Sequence, residues 1–580
     1  MSWLTYVFPA SIAALIILFY TCTPSLRSVS LERCGGRSFG RLDWLLLGLI
    51  IILYAFFAFY NLGDTTAPQS FRHFSAGESV TVDLGTECDV DEIFCYPGLN
   101  TGKYAVDFSD NGKIFRAVGC IEQDYTSLFK WKDAEFAENA DTRARYVRIT
   151  ADSDTYMGEI SIRTDKGVIS GGGELFDEQE LVPDYMTYLN STYFDEIYHA
   201  RTAFENIEKI YPYEISHPPL GKLIIAAGIE AFGMTPFGWR FSGTLFGVLM
   251  LPVLYVLLKK MFGGTAVPAC GTAIMAADFM HFTQTRIATI DTYGVFFILL
   301  TYLFMYLYVS GGRLKHLALS GVFFGIGIAC KWTCLYAGAG LAVIWLIYHL
   351  RNFETKKFIK NCLFCVVFFV LIPALIYYVS YFPYGQAKGM NGAGMFFSKD
   401  YAKLVLDNQQ FMFSYHSGVH SGHPYSSRWY QWMLDVRPIL YYLQHYSDGT
   451  RSSFGAFLNP VLCWGGLIAL GMNVYLAIFR QDRVSEFIVI GYLAQLLPWV
   501  FITRTTFMYH YFPASVFLLL ATCRIFALML KGGKTGKIGT YGLAGLAVAL
   551  FFVFYPVLSG KPVDATLASG LLKWLPTWPF

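Results

Sequence analysis

The 580-residue chain is 54% hydrophobic and 15% charged, with a mean hydropathy of +0.42, whereas in soluble domains about a quarter of residues are charged. This excludes an ordinary water-soluble globular protein and points to lipid as the main solvent. The net charge of +2 is scattered through short loops, without the concentrated basic face that a nucleic-acid partner requires.

A helix needs about 20 apolar residues to cross the hydrocarbon layer. Such runs lie at 3–21, 43–62, 237–258, 265–285, 292–310, 316–330, 333–350, 361–383, 455–479, 485–502, 507–530 and 538–559. They predict twelve transmembrane helices, with the two members flanking Lys331 the shortest. The run 3–21 lacks a basic flank before it and is soon followed by another, so it reads as a retained helix and not a cleaved signal. Segment 63–185 is different: acid-rich, without long apolar runs, and with alternating stretches at 79–84, 104–108, 145–150 and 159–163. These alternations, with an Asp-Asn-Gly turn at 110–112, predict an all-β sandwich. Cys88, Cys95 and Cys120 in this segment leave room for a single disulfide of open pairing. The in-span Cys362/Cys365 pair reads as small core residues.

Lys and Arg cluster in alternate short loops: Arg27/Arg33/Arg37/Arg41, Lys259/Lys260, Arg313/Lys315, Arg351/Lys356/Lys357/Lys360, Arg480/Arg483 and Lys531/Lys534/Lys537. The positive-inside rule puts these in the cytoplasm and 63–236, 286–291, 331–333, 384–454, 503–506 and the C-terminal tail outside. The expected organisation is therefore two helices over 1–62, the sandwich over 63–185, a membrane domain over 186–384, an outer loop over 385–454 and a four-helix region with its tail over 455–580.

By this topology Asp195, Glu196, Arg240, Arg286, Asp291, Lys331, Arg504 and His510 all fall at the outer face, and ionisable groups at span ends tend to be paired or functional. Cations with one or two carboxylates suit an anionic phosphate ligand plus a base. Asp195 and Glu196 are adjacent on a predicted helix and diverge by about 100°, so they take separate jobs. His199, four residues on, shares the Asp195 face. No third metal ligand accompanies that pair, and the loop holding His416, His420 and His423 has no fixed ligand geometry. The expectation is that no cofactor is required; a divalent metal stays open, with nothing in the sequence to support it. Trp429, Tyr430, Trp432, Tyr441 and Tyr442 read as an interfacial belt.

Two resemblances sharpen this reading. The phrases GESVTVDLG, YAVDFSDNGKIF, LFKW and ARYVRITADS with GEISI resemble the discoidin or galactose-binding jelly-roll family. That family often binds glycans through loops at one end, so a glycan partner and a structural or spacing role are both open here. The phrases FDEIYHARTA, HPPLGK, GWRFSG, TRIATIDTYGVFF, GIACKWTCLY, HPYSSRWYQWMLDVRPILYY and PWVFITRTTFMYHYFP, in order over about 190–560, resemble the protein O-mannosyltransferase family. The resemblance implies a C-type membrane glycosyltransferase. It would move mannose, or another hexose, from a polyprenyl-phosphate donor to Ser/Thr hydroxyls of exported proteins with inversion, on the outer face of a bacterial plasma membrane. It implies Asp195 as general base with Glu196 as the fallback. Lys331, Arg504 and Arg240 become donor-phosphate contacts. His199, Arg286, Asp291, His510 and Tyr511 orient the site or line a substrate groove, with an Arg–Asp pair among them. Loop 385–454 is too short for the β-trefoil of eukaryotic members, so acceptor choice does not carry over. A transporter or flippase of lipid-linked sugar, or transfer to a glycan or lipid acceptor, are the alternatives.

Overall fold

The computed structural model describes residues 38–169, 173–418 and 422–580; the expected span at 3–21 and His420 lie outside them. The chain forms two compact units, one of Asn61–Glu208 with Ile225–Phe241, the other of the segment up to Tyr60, Lys209–Ile224 and Ser242–Phe580. The expected boundary at 185/186 falls inside the first unit.

That first unit holds nine strands: β1 Arg72–Phe74, β2 Ser79–Pro97, β3 Gly102–Ser109, β4 Arg116–Gln123, β5 Lys132–Asp133, β6 Glu135–Phe136, β7 Arg143–Ala151, β8 Thr155–Thr164 and β9 Gly167–Ile169. Their order is β1-β8-β2-β7-β3-β4-β6, with β5 on β2 and β9 on β8, all antiparallel. The four alternating stretches expected from the sequence lie inside β2, β3, β7 and β8. Strand β2 explains the two-layered form. Its first half alternates, burying Val82, Leu84, Cys88 and Val90, and pairs with β7; its second half pairs with β8. Phe74, Tyr104, Val106, Val147, Ile149, Ile160 and Ile162 fill one shared core. Gly119 of β4 is obligatory, because a Cβ there would overlap the Glu135 carbonyl of β6. Cys88, Cys95 and Cys120 are free thiols, so the open disulfide does not form in this structure.

Glu159 on β8 is fully buried, accepting from the Glu178 amide at 3.0 Å and from the Gln179 side chain. Burial, reinforced by neighbouring Asp177 and Glu178, pushes its pKa from 4.5 up to about 7. The folded state thus keeps a proton that the unfolded chain releases, so the contribution of Glu159 to stability is fully present below about pH 4.5 and is lost as pH rises through about 7. Glu159→Gln should flatten that dependence in the intact protein. Urea denaturation read by proteolysis within β8 checks it, and an unchanged wild-type slope in the variant would refute it.

In the second unit, together with the helix Pro236–Phe262 that begins in the first, the elements are mostly apolar helices. Among the described residues seven helical stretches are long and apolar enough to cross a membrane, including Arg41–Phe59, Pro236–Phe262, Asp291–Gly311 and Thr355–Ala387; Ala266–Ala276 and Leu314–Cys330 are shorter apolar helices. Leu45, Ile52, Leu363 and Leu375 are exposed, as lipid-facing side chains are. Gly321 allows close helix contact, since a Cβ would overlap the Phe368 carbonyl. The expected run 265–285 is two helices, Ala266–Ala276 and Phe279–Thr285. A break inside an apolar run needs polar partners from the protein, and here Asn459 donates its side-chain amide to the Ala277 carbonyl and its main-chain N–H to the Asp278 carboxylate, both at 2.9 Å. The loop 385–454 supplies the helix Lys399–Gly418 and a hairpin of β10 Ile439–His445 and β11 Thr450–Ala456, extended by β12 Val563–Asp564.

Candidate active site

The acidic pair stands at the head of the helix Glu196–Ile207, where Phe194 adopts a left-handed φ of 48° that turns the chain sharply into the helix. Asp195 takes the N-cap position, and its carboxylate makes no capping bond to the first turn. Glu196 has no exposed surface. Arg240 grips it with a bidentate pair, Nε to Oε1 and Nη2 to Oε2 at 2.7 Å each, and the Trp239 indole donates to Oε2 at 3.3 Å. The remaining guanidinium N–H groups donate to the carbonyls of Leu62, Tyr188 and Ser191 at 2.7–2.9 Å. All five donors of Arg240 are engaged inside this unit. It is therefore an internal clamp, which departs from the phosphate contact expected of it. His199 is buried one turn after Asp195.

The nine-stranded domain holds the segment leading into this helix. The Ser191 hydroxyl accepts the Trp131 amide at 3.1 Å. Thr192 donates its amide to the Phe129 carbonyl and its hydroxyl to the Leu128 carbonyl. Asn190, Ser191 and Thr192 spell a glycosylation sequon, yet all three are buried, with the Asn190 amide donating to the Tyr185 carbonyl. Phe129 then meets Phe204 of the helix edge-on at 5.4 Å.

In the other unit Lys331 sits in extended backbone directly after the helix Leu314–Cys330. Its ammonium reaches Asp291 Oδ1 at 2.5 Å and lies 5.5 Å from the centre of the Tyr509 ring. Asp291 opens the helix Asp291–Gly311, where a carboxylate is favoured by the helix dipole. The expected Arg286–Asp291 pair is replaced by Lys331–Asp291. Arg286 instead donates to the Tyr60 carbonyl at 3.0 Å and stacks over Phe282. Arg504 lines a polar cleft of about 270 Å³ with Ser426, Arg428, Gln431, Thr503 and Thr505. Two hydrogen bonds between Ser427 and Thr506 tie its loops together. His510 stacks on Trp432 and meets Trp499 edge-on. Tyr511 is buried against Tyr492, the hydroxyls 2.6 Å apart, so it belongs to the core and lines no groove. Trp432 and Tyr441 are likewise buried, with the Trp432 indole donating to Ser427, which removes them from the expected interfacial belt.

Residues 216–377 match the dolichyl-phosphate-mannose-protein mannosyltransferase family, and residues 402–578 match the C-terminal four TMM region of protein-O-mannosyltransferase. The chain belongs to the protein O-mannosyltransferase family. A polyprenol-phosphate-mannose–protein mannosyltransferase of Mycobacterium tuberculosis is 25% identical over 464 residues, covering 68% of this chain and 88% of that protein. The equivalent protein of Mycolicibacterium smegmatis is 24% identical over 450 residues, covering 66% and 87%. The fold matches a chain of the Saccharomyces cerevisiae protein O-mannosyltransferase Pmt1–Pmt2 complex bound to the sugar donor, at a TM-score of 0.58 and 13% identity over 67% of this chain and 89% of that one.

This O-mannosyltransferase chain also carries residues that sequence reasoning left unassigned. Lys222, fully buried, donates to Glu214 Oε2 at 2.5 Å and to the Glu214 and His217 carbonyls. His217 meets Glu214 at 3.2 Å through Nδ1 and faces the His416 ring at 5.1 Å, and His416 reaches the Ser216 carbonyl at 2.8 Å. Burial first, then the charges of His217, Arg504 and Lys331, push the His416 pKa down to about 4, so it is neutral at physiological pH. The signal in the sequence was His217-Pro218-Pro219 directly before a helix: two prolines cannot continue a helix from upstream but suit its entry, which pins His217 at that point. Among the described residues one trio of carboxylates, Glu159, Asp177 and Glu178 in the nine-stranded domain, has metal-ligand spacing. Its oxygens accept from the Gln69 and Ser70 amides and the Ser70 hydroxyl.

Proposed function

We propose that this protein transfers mannose from a polyprenyl-phosphate donor to Ser or Thr hydroxyls of exported proteins, at the outer face of a bacterial plasma membrane. Curated relatives spanning two thirds of the chain bear the matching name, and the loop charges support the orientation. The observation that carries the reading is the division of labour in the acidic pair. Glu196 is locked by Arg240, and the base role is proposed for its neighbour Asp195, which points to a different side of the same helix.

In the proposed reaction the acceptor hydroxyl attacks the anomeric carbon, and the bond from that carbon to the phosphate oxygen breaks on the opposite face. Asp195 takes the hydroxyl proton as the oxygen becomes acidic in the transition state. The polyprenyl phosphate leaves with the bonding electron pair as a stabilised anion, so no general acid is needed, and a single displacement inverts the anomeric centre. Lys331 and Arg504 are the proposed phosphate contacts, since fixed cations oppose the charge that develops on the leaving group. Arg240 and Asp291 serve as positioning residues, one for Glu196 and the other for Lys331.

Purified protein in nanodiscs, given labelled polyprenyl-phosphate mannose and a Ser/Thr-rich peptide, should yield mannosylated peptide. A donor that is consumed only with a lipid or glycan acceptor would overturn the reading. Arg504→Ala should raise the apparent KM for donor roughly 10- to 100-fold, the worth of one charged hydrogen bond, with little change in the KM for peptide. An unchanged donor KM would remove Arg504 from the phosphate site. Lys331→Ala is the less clean test, because it also takes the partner from the half-buried Asp291.

A further inference from the structure

The nine-stranded domain reaches the acidic helix through the loop 124–131 between β4 and β5. Asp124 Oδ1 organises that loop, accepting from the Thr126 amide and hydroxyl at 2.8 and 2.7 Å and from the Ser127 hydroxyl at 2.9 Å. Phe129 and the Thr192 bonds anchor its far end. The residue lifted out of this rigid turn is Tyr125, which keeps 46% of its surface exposed. Its ring lies nearly parallel to that of Tyr198, centroids 6.3 Å apart and planes 21° from each other.

The helix phase decides where that pair faces. Tyr198 lies about 200° around the helix from Glu196, on the side opposite the Arg240 clamp, but only about 60° from Asp195. Tyr198 therefore shares a side of the helix with the proposed base, and Tyr125 stands against it. Tyrosine supplies a large, stiff, amphipathic contact area at low entropic cost. Ser/Thr-rich polypeptide offers few large side chains, so such a ligand is held along its backbone, against which flat ring faces pack.

We propose that Tyr125 and Tyr198 form a subsite for the acceptor polypeptide beside Asp195, which makes the inserted β domain a part of acceptor selection. The proposal rests on the functional reading above. It assigns to the β domain the role that the short loop 385–454 has no room to play through a further folded domain.

The test measures mannosyl transfer by the full-length protein in nanodiscs, varying peptide and donor separately for wild type, Tyr125→Ser and Tyr125→Phe. Tyr125→Ser should raise the KM for peptide roughly three- to tenfold, the scale of one aromatic contact, with kcat at saturating peptide and the KM for donor unchanged. Tyr125→Phe, which keeps the ring, should stay close to wild type. An unchanged peptide KM in Tyr125→Ser, or a parallel rise in the donor KM, overturns the subsite while leaving the enzyme reading intact. A wild-type protein that transfers no sugar to any peptide overturns the enzyme reading and the subsite with it.

Discussion

Asp195→Asn is expected to leave the protein folded and to lower peptide mannosylation by about 10²- to 10⁴-fold, the usual worth of a general base. The substitution keeps size and polarity and removes only the ability to accept a proton. Folding should survive because the change is isosteric and the neighbouring buried charges are balanced between Glu196 and Arg240. The KM for donor should change little, since the phosphate contacts are assigned to other residues. Measurement requires single-turnover transfer rates beside a thermal-unfolding curve. Near-normal transfer by a folded Asp195→Asn protein would remove Asp195 from the chemistry.

Arg240→Ala should have the largest effect on stability. Removing one partner of a buried pair leaves the other charge uncompensated, at about 3–5 kcal/mol. Here the loss also takes the donors from three buried carbonyls, those of Leu62, Tyr188 and Ser191. Arg240→Lys restores the charge but not the planar fork that reaches Glu196 and three carbonyls together, so it should recover only part of the stability. Glu196 directly follows Asp195, so a loosened clamp should also lower kcat, in step with the loss of thermal stability across the Ala and Lys variants. A normal unfolding temperature and normal kcat in Arg240→Ala would show that the clamp is dispensable.

Strands and apolar helices were legible because patterning along the chain is local: the alternation of β2 and the long apolar runs needed no partner to be recognised. The run 265–285 misled for a related reason. Its composition suits one continuous span, but the break at Ala277 and Asp278 is stabilised by Asn459, more than 180 residues further on. Likewise Trp432 and Tyr441 carry the composition of an interfacial belt, and only their packing places them inside.

The apolar excess and the alternating loop charges determined, without any tertiary contact, that this is a membrane protein, and the adjacency of Asp195 and Glu196 alone sends their side chains to different sides of one helix. Periodicity and hydropathy are properties of neighbours in the chain, so sequence carries them in full. Which charge meets which was decided only by the fold. Glu196 is clamped by Arg240, 44 positions away, Asp43 by Lys259 at 216, and Asp291 by Lys331 rather than by the nearer Arg286. A charge withdrawn from water is costly until a partner with matching geometry neutralises it, and that partner is selected by distance in space, which sequence separation does not encode.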